Sequence, residues 1–126
     1  MKGFAKLAGE SGSMDVIDVD KPEPGPDEAL IEVSHAGLCG SDLGVYKFKD
    51  AFERMSFPRV VGHEYSGTVV AVGEDVSRFE VGDRVVEQII RHCGECRHCL
   101  EGDTHICTDA QITGIDHDGA YAPFIT

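Results

Sequence analysis

Basic residues are scarce and tryptophan is absent: lysine and arginine number 11 against 23 aspartates and glutamates in 126 residues, leaving a formal net charge of −12. The acidic residues are spread along the chain rather than gathered in a tail, so a phosphate backbone would be repelled and no nucleic-acid partner is expected. No stretch approaches the ~20 consecutive apolar residues of a membrane-spanning helix. The opening MKGFAKLAGES also lacks the apolar run of about 7–15 residues and the small-residue cleavage site of a secretory signal. The expectation is a soluble, cytoplasmic chain with no membrane partner. There is no internal repeat, low-complexity segment or internal domain boundary. Two readings of the acidity stand, an ordinary acidic cytosolic protein or adaptation to high salt, where screening relieves self-repulsion. A melting temperature indifferent to KCl would count against the second.

At this length folding buries roughly two-thirds of the unfolded surface, enough for one ordinary core. Met1–Leu7 and Met14–Val19 read as an opening hairpin turned by Gly9–Ser13. Lys21–Asp27 holds three of the five prolines and is expected to be a stiff extended connection that no helix crosses. Strands are expected at Ala29–Ala36, Tyr65–Val72, Arg84–Ile90 and Gly119–Ile125, the middle two rich in β-branched residues and separated by turns at Gly73–Asp75 and Gly82–Asp83. Cys39–Tyr46 reads as a short helical turn capped by Ser41 or Asp42. Many short strands with turn signals about every ten residues point to an all-β barrel or sandwich with little helix. The sequence stops inside an apparent strand, which suggests a piece of something longer.

Residues 93–107 read CGECRHCLEGDTHIC. Three closely spaced thiols and a returning fourth match a structural zinc site of Cys93, Cys96, Cys99 and Cys107, since Zn2+ is satisfied by four thiolates in a tetrahedron. Three other readings compete with it. Disulfides suit neither a cytoplasmic chain nor neighbours so close in sequence. An iron–sulfur loop of the bacterial ferredoxin type has a shorter last gap and a following proline, where this chain has Thr108. His92, His98 or His105 could replace one thiol. A four-thiolate site carries excess negative charge, which Arg91, Arg97 and backbone N–H groups are expected to offset. With no open position it stabilises structure and does not react.

That assignment leaves Cys39, in Leu38-Cys39-Gly40-Ser41-Asp42, upstream of Gly62-His63-Glu64. A lone cysteine is ordinarily an inert core residue. Cys39, His63 and Glu64 together, however, are three ligand types that leave a zinc open to water or substrate. The run Gly62-His63-Glu64-Tyr65-Ser66-Gly67-Thr68-Val69-Val70-Ala71-Val72-Gly73 resembles the signature of zinc-containing medium-chain dehydrogenases, which include alcohol, sorbitol, threonine and glucose dehydrogenases. The likeness extends to Gly119-Ala120-Tyr121, and the four-cysteine spacing is the one that family uses for its structural zinc.

The resemblance implies a mainly β, GroES-like, partly open barrel with short helices and a zinc-binding loop, over residues 1–126. It implies a catalytic zinc held by Cys39, His63 and, directly or transiently, Glu64. Asp42 would accept the imidazole N–H of His63, with helix capping as its alternative role. Ser41 would hydrogen-bond a substrate hydroxyl and pass its proton onward. The implied substrate is a small alcohol, polyol or sugar, oxidised by hydride transfer to NAD or NADP, and the full-length enzyme would be a homo-oligomer. The cofactor half would be a Rossmann domain, whose G-x-G-x-x-G turn does not occur here: Gly37-Leu38-Cys39-Gly40 lacks the third glycine. The fragment alone is therefore expected to be inactive. Two departures stand out. Gly44 occupies a position where sorbitol- and threonine-type members usually carry a histidine that ends the proton relay. A further zinc ligand that many members supply is also missing. The alternative function is a non-catalytic, zinc-stabilised β-domain for binding or assembly.

Overall fold

The computed structural model describes all 126 residues. Strand β1 (Lys2–Lys6) pairs antiparallel with β2 (Met14–Asp18), from Lys2 opposite Asp18 to Lys6 opposite Met14. Its other edge takes the short β4 (Arg59–Val60). A second sheet has the order β6-β5-β3-β9, built from β3 (Ala29–Ala36), β5 (Tyr65–Val72), β6 (Arg84–Val86) and β9 (Phe124–Ile125). A two-stranded ribbon joins β7 (Ile90–Arg91) to β8 (Gln111–Ile112). The molecule is mainly β, and its sheets remain open rather than closing into a barrel. No helix is long and apolar enough to cross a membrane.

The opening hairpin and the bounds of β3 and β5 match the sequence reading. Two strands are shorter than expected. Arg84–Ile90 breaks after Val86 and resumes in the ribbon. Of Gly119–Ile125 only the last two residues join a sheet, because Gly119, Ala120 and Tyr121 spend their N–H groups on the carbonyls of Val60, Gly62 and Val61. That irregular strip lies against the loop leading into β5. The proline-rich connection ends on the turn after β5, where Gly73 donates to Glu28 and Asp75 to Pro26, each at 2.8 Å. A Cβ at Gly73 would collide with the backbone carbonyls of Gly25 and Pro26, so proline, unable to donate but still able to accept, shapes this contact with glycine opposite.

Helix α1 (Gly40–Lys47) packs its Val45 into a cluster with Met55, Val61 and Ile115, flanked by Phe52, Phe57 and Tyr121. Burying each aliphatic side chain contributes roughly 1.5–3 kcal/mol, and the cluster fixes the helix over the loop that precedes β5. Lys6, fully buried, ties the other end. Its Nζ donates to the carbonyls of Glu10 at 2.6 Å and Gly12 at 2.8 Å in the hairpin turn, and of Tyr46 at 3.1 Å in the last turn of α1. A buried ammonium is tolerated because several acceptors replace its hydration.

Between β8 and the irregular strip, the His117 Nε2 and the buried Thr113 hydroxyl lie 3.0 Å apart. Burial, reinforced by the charges of Arg91 and Arg59, holds the His117 imidazole down to about 4, below its ordinary 6.5. In that interval the unfolded chain binds more protons than the folded one, so stability falls as pH drops from 6.5 towards 4. We expect the melting temperature to decline across this window, and His117→Gln to flatten the decline in parallel thermal scans. An identical slope in the variant would remove His117 as its source.

Candidate metal centre and active-site cleft

Cys39 caps α1 in extended conformation, with φ −89° and ψ 151°. Ser41 and Asp42, proposed from sequence as caps, lie inside the helix. Asp42 still takes part, since its Oδ2 accepts the Cys39 N–H at 2.8 Å, the side-chain-to-cap half of a capping box. Placing Cys39 at the cap turns its thiol toward the entrance of β5. There Gly62 adopts φ +94°, a left-handed conformation that favours glycine. A Cβ at Gly62 would lie 2.6 Å from the Tyr121 ring. The next residue, His63, is buried, and Glu64 is exposed as β5 begins.

These constraints bring the donor atoms of Cys39, His63 and Glu64 within 4.8 Å of one another. They line a cleft of about 410 Å³ shared with Ser41, Tyr65, Glu87 and Ile89. The Ser41 Oγ is 3.1 Å from His63 Nε2. The other ring nitrogen, Nδ1, lies 3.9 Å from Asp42 Oδ1, a buried oxygen with no other partner. A hydrogen carried on Nδ1, toward that oxygen, would leave Nε2 free as a ligand atom. Thiol, imidazole and carboxylate around an open cleft suit Zn2+. Asp42 thus accepts from the helix cap through one oxygen and faces the imidazole, beyond hydrogen-bond distance, with the other.

The four remaining cysteines gather on a loop carrying α2 (Arg97–Leu100) and a 3-10 turn at Thr104–Ile106. A tetrahedron with Zn–S bonds of about 2.3 Å has S···S edges of about 3.8 Å. Here Cys93–Cys99 measure 3.9 Å, Cys96–Cys99 3.5 Å, Cys96–Cys107 3.9 Å and Cys93–Cys107 3.6 Å. The thiols therefore fit one tetrahedral ion and are too far apart for disulfides. No histidine joins the set. Charge is offset by backbone rather than by the expected arginines: the Cys93 and Cys96 N–H groups donate to the sulfurs of Cys107 and Cys93 at 3.4 and 3.3 Å. Arg91 instead bonds Glu28 and the Thr126 carbonyl, and Arg97 bonds Glu101. Hydrogen bonds from the backbone at Cys99 and Thr108 pull the Cys96 thiol down, while burial and the hydrogen bond from Cys96 push the Cys99 thiol up, so the two titrate as a coupled pair.

Two residues of the site were not anticipated. The single hydrogen of the Tyr121 hydroxyl faces two acceptors, Asp42 Oδ2 at 2.9 Å and the Gly37 carbonyl at 2.8 Å. Glu87 stands in the wall opposite His63, its carboxyl pKa raised by burial against the opposing pull of Thr113, His63 and Arg91. A lone carboxylate in the apolar run RVVEQII was the available signal for Glu87. Gly44 also acquires a reason: a Cβ there would sit 2.6 Å from the Phe52 ring, so Phe52 fills the space a side chain would take.

A mainly β domain with one open cleft of mixed donors and one closed thiol cluster is thereby defined. The alcohol dehydrogenase GroES-like domain family matches residues 25–126, and the chain belongs to that family. It is 39% identical over 126 residues to an L-threonine 3-dehydrogenase of Vibrio parahaemolyticus, covering 99% of this chain and 36% of that protein. An NAD-dependent alcohol dehydrogenase structure superposes with a TM-score of 0.89 at 34% identity, covering 99% of this chain and 36% of the other. Galactitol-1-phosphate dehydrogenase of Escherichia coli gives 0.87 at 31% identity, with 99% and 35% covered. The chain thus spans little more than a third of these relatives.

The fit of Phe52 over Gly44 predicts strong coupling. Gly44→Ala should cost about 1–3 kcal/mol through overpacking. In a Phe52→Ala background the same change should be neutral or stabilising by up to about 1 kcal/mol, as helix propensity favours alanine. Denaturant midpoints for the double-mutant cycle provide the check, and additive effects would contradict the contact.

Proposed function

We propose that this chain is the catalytic, substrate-side domain of a zinc-dependent dehydrogenase that oxidises a small alcohol, polyol or sugar with NAD or NADP. One observation carries the reading: Cys39, His63 and Glu64 converge on an open cleft with Asp42 behind the imidazole, while Cys93, Cys96, Cys99 and Cys107 form a separate closed set. The relatives' names, threonine, alcohol and galactitol-1-phosphate dehydrogenases, support secondary hydroxyls and polyols as the substrate class. The nicotinamide cofactor belongs to a Rossmann domain outside these residues.

Cys39 through Sγ, His63 through Nε2 and Glu64 through a carboxylate oxygen would hold the catalytic ion, and the four clustered thiols a structural one. The chemistry zinc supplies when bound is Lewis acidity, which for water lowers the pKa from 15.7 to ~7, about 12 kcal/mol of anion stabilisation at 1.36 kcal/mol per unit. The protein's own side chains do the rest. Ser41 Oγ, next to His63 Nε2, is placed to accept a hydrogen bond from a substrate hydroxyl entering the cleft and to take up its proton while releasing its own to the next acceptor. Asp42 keeps the imidazole oriented and balances positive charge on it. Tyr65 and Ile89 wall the cleft. Burial and the Glu87 charge push the Tyr65 phenol up to about 12, so it stays neutral and can only donate or accept a hydrogen bond there. With Phe52 against Gly44, no side chain at residue 44 carries the proton outward, and water or another residue completes the path.

Metal counting tests this reading in the protein containing this chain with its cofactor domain. Two zinc ions per chain are expected. Cys39→Ala and His63→Ala should each remove one and abolish NAD(P)-coupled alcohol oxidation. Cys96→Ser should remove the other, lower the melting temperature and leave the Cys39–His63 ion bound. One zinc insensitive to Cys39→Ala and His63→Ala would instead indicate a non-catalytic, zinc-stabilised domain.

A further inference from the structure

Tyr121 does not line the open cleft, but it touches the segments that carry Asp42 and His63. Its N–H donates to the Val61 carbonyl at 2.9 Å, and its own carbonyl accepts from Phe4 at 2.8 Å, so the backbone is fixed on both sides. The ring covers Gly62, the residue before His63. The phenol carries one hydrogen and has two acceptors, the Gly37 carbonyl and Asp42 Oδ2. Asp42 Oδ2 also receives the Cys39 N–H.

Both hydrogen bonds to Asp42 therefore fall on the same oxygen. A carboxylate held through Oδ2 alone could still swing about its last torsion, which is broad for an sp3–sp2 bond. Two donors from different directions, one from the helix cap and one from Tyr121, remove that freedom. Oδ1 is left buried, unpartnered and 3.9 Å from His63 Nδ1. An acceptor-only oxygen at that place favours the imidazole form that carries its hydrogen on Nδ1. The lone pair then sits on Nε2, beside Ser41 Oγ and facing the cleft. Burial, the hydrogen bond to Asp42 and the negative charges of Asp42, Glu64 and Cys39 all raise the phenol pKa, so Tyr121 remains a donor.

We infer that Tyr121 is a positioning residue: by holding Asp42 Oδ2 it turns Oδ1 toward His63 and thereby selects the Nδ1–H tautomer that presents Nε2 to the cleft. The role in catalysis rests on the reading of His63 as a metal ligand. The tautomer does not, and it is measurable with the Cys39–His63 site empty, so the two can fail separately.

The experiment is 15N-detected histidine NMR at alkaline pH on the full-length protein with zinc kept in the four-cysteine loop and the Cys39–His63 site left empty. The wild type should give the separated nitrogen shifts of a single Nδ1–H tautomer. Tyr121→Phe keeps the ring over Gly62 and removes only the hydroxyl. It should move both His63 nitrogen shifts toward the averaged values of free histidine and weaken zinc binding at the Cys39–His63 site by about 10-fold, the low end for a lost outer contact. Asp42→Asn gives a second, independent readout. With Tyr121 and the Cys39 N–H both donating, the side-chain oxygen stays on their side and the new amide NH2 faces Nδ1. The tautomer should therefore invert to Nε2–H. A folded Tyr121→Phe protein with unchanged His63 shifts, or a folded Asp42→Asn protein that retains the Nδ1–H pattern, would overturn the inference.

Discussion

The Asp42 carboxylate joins two segments that the chain order separates, accepting from the Cys39 N–H through one oxygen at 2.8 Å and facing His63 Nδ1 through the other at 3.9 Å. The β3–β5 ladder ends with Ala36 opposite Tyr65, and the Gly37 N–H then donates to the Glu64 carbonyl at 2.7 Å, which brings the start of α1 beside the entrance to β5; Asp42 and the Val45–Val61 packing fix the side chains within that frame. A capping carboxylate near a helix N-terminus is favoured by the exposed N–H groups and by the local dipole. A carboxylate oxygen can also accept an imidazole N–H. Helix stability and ligand orientation thus draw on one charge. A substitution that spared the cap and lost the second oxygen would separate them.

Glycine and proline supply the close approaches that let this arrangement form. The Tyr121 ring reaches the His63 loop because Gly62 has no side chain. Phe52 lies against α1 because Gly44 has none. In the second sheet, the proline-rich connection meets the turn at Gly73 backbone to backbone. Each contact pairs a bulky or rigid group with an absent Cβ. The loops around the cleft are therefore fixed by packing at a few points rather than by continuous sheet.

Most of the regular fold was legible in the sequence, because its signals are local. The hairpin, β3 and β5 follow from β-branched alternation between turn residues, and the cysteine loop follows from its spacing. The failures share a physical cause. Arg84–Ile90 has strand composition throughout, yet it leaves β5 after Val86 because its partner changes to Gln111–Ile112. Gly119–Tyr121 is extended, but its hydrogen bonds go to the irregular Val60–Gly62 loop. Which partner a strand finds is a long-range property that propensity does not encode. Within the site, the ligand-type residues were visible by chemistry. Tyr121, 79 residues from Asp42 in sequence, and Glu87 were not, since their meaning depends on what the fold sets beside them.

The two donor sets also differ in charge, and that difference fits their separate chemistry. Four thiolates around a dication leave two negative charges in excess, in a chain already at −12. The loop meets this with N–H groups donated to sulfur, while its arginines are engaged elsewhere. An electron-rich, closed centre has little Lewis acidity left to offer a substrate. A dication held by one thiolate, one carboxylate and one imidazole would be formally neutral with its ligands, and more of its field would reach the cleft. Turning the His63 hydrogen toward Asp42 preserves that balance, because the carboxylate sits behind the ring where it orients the ligand without occupying a coordination position.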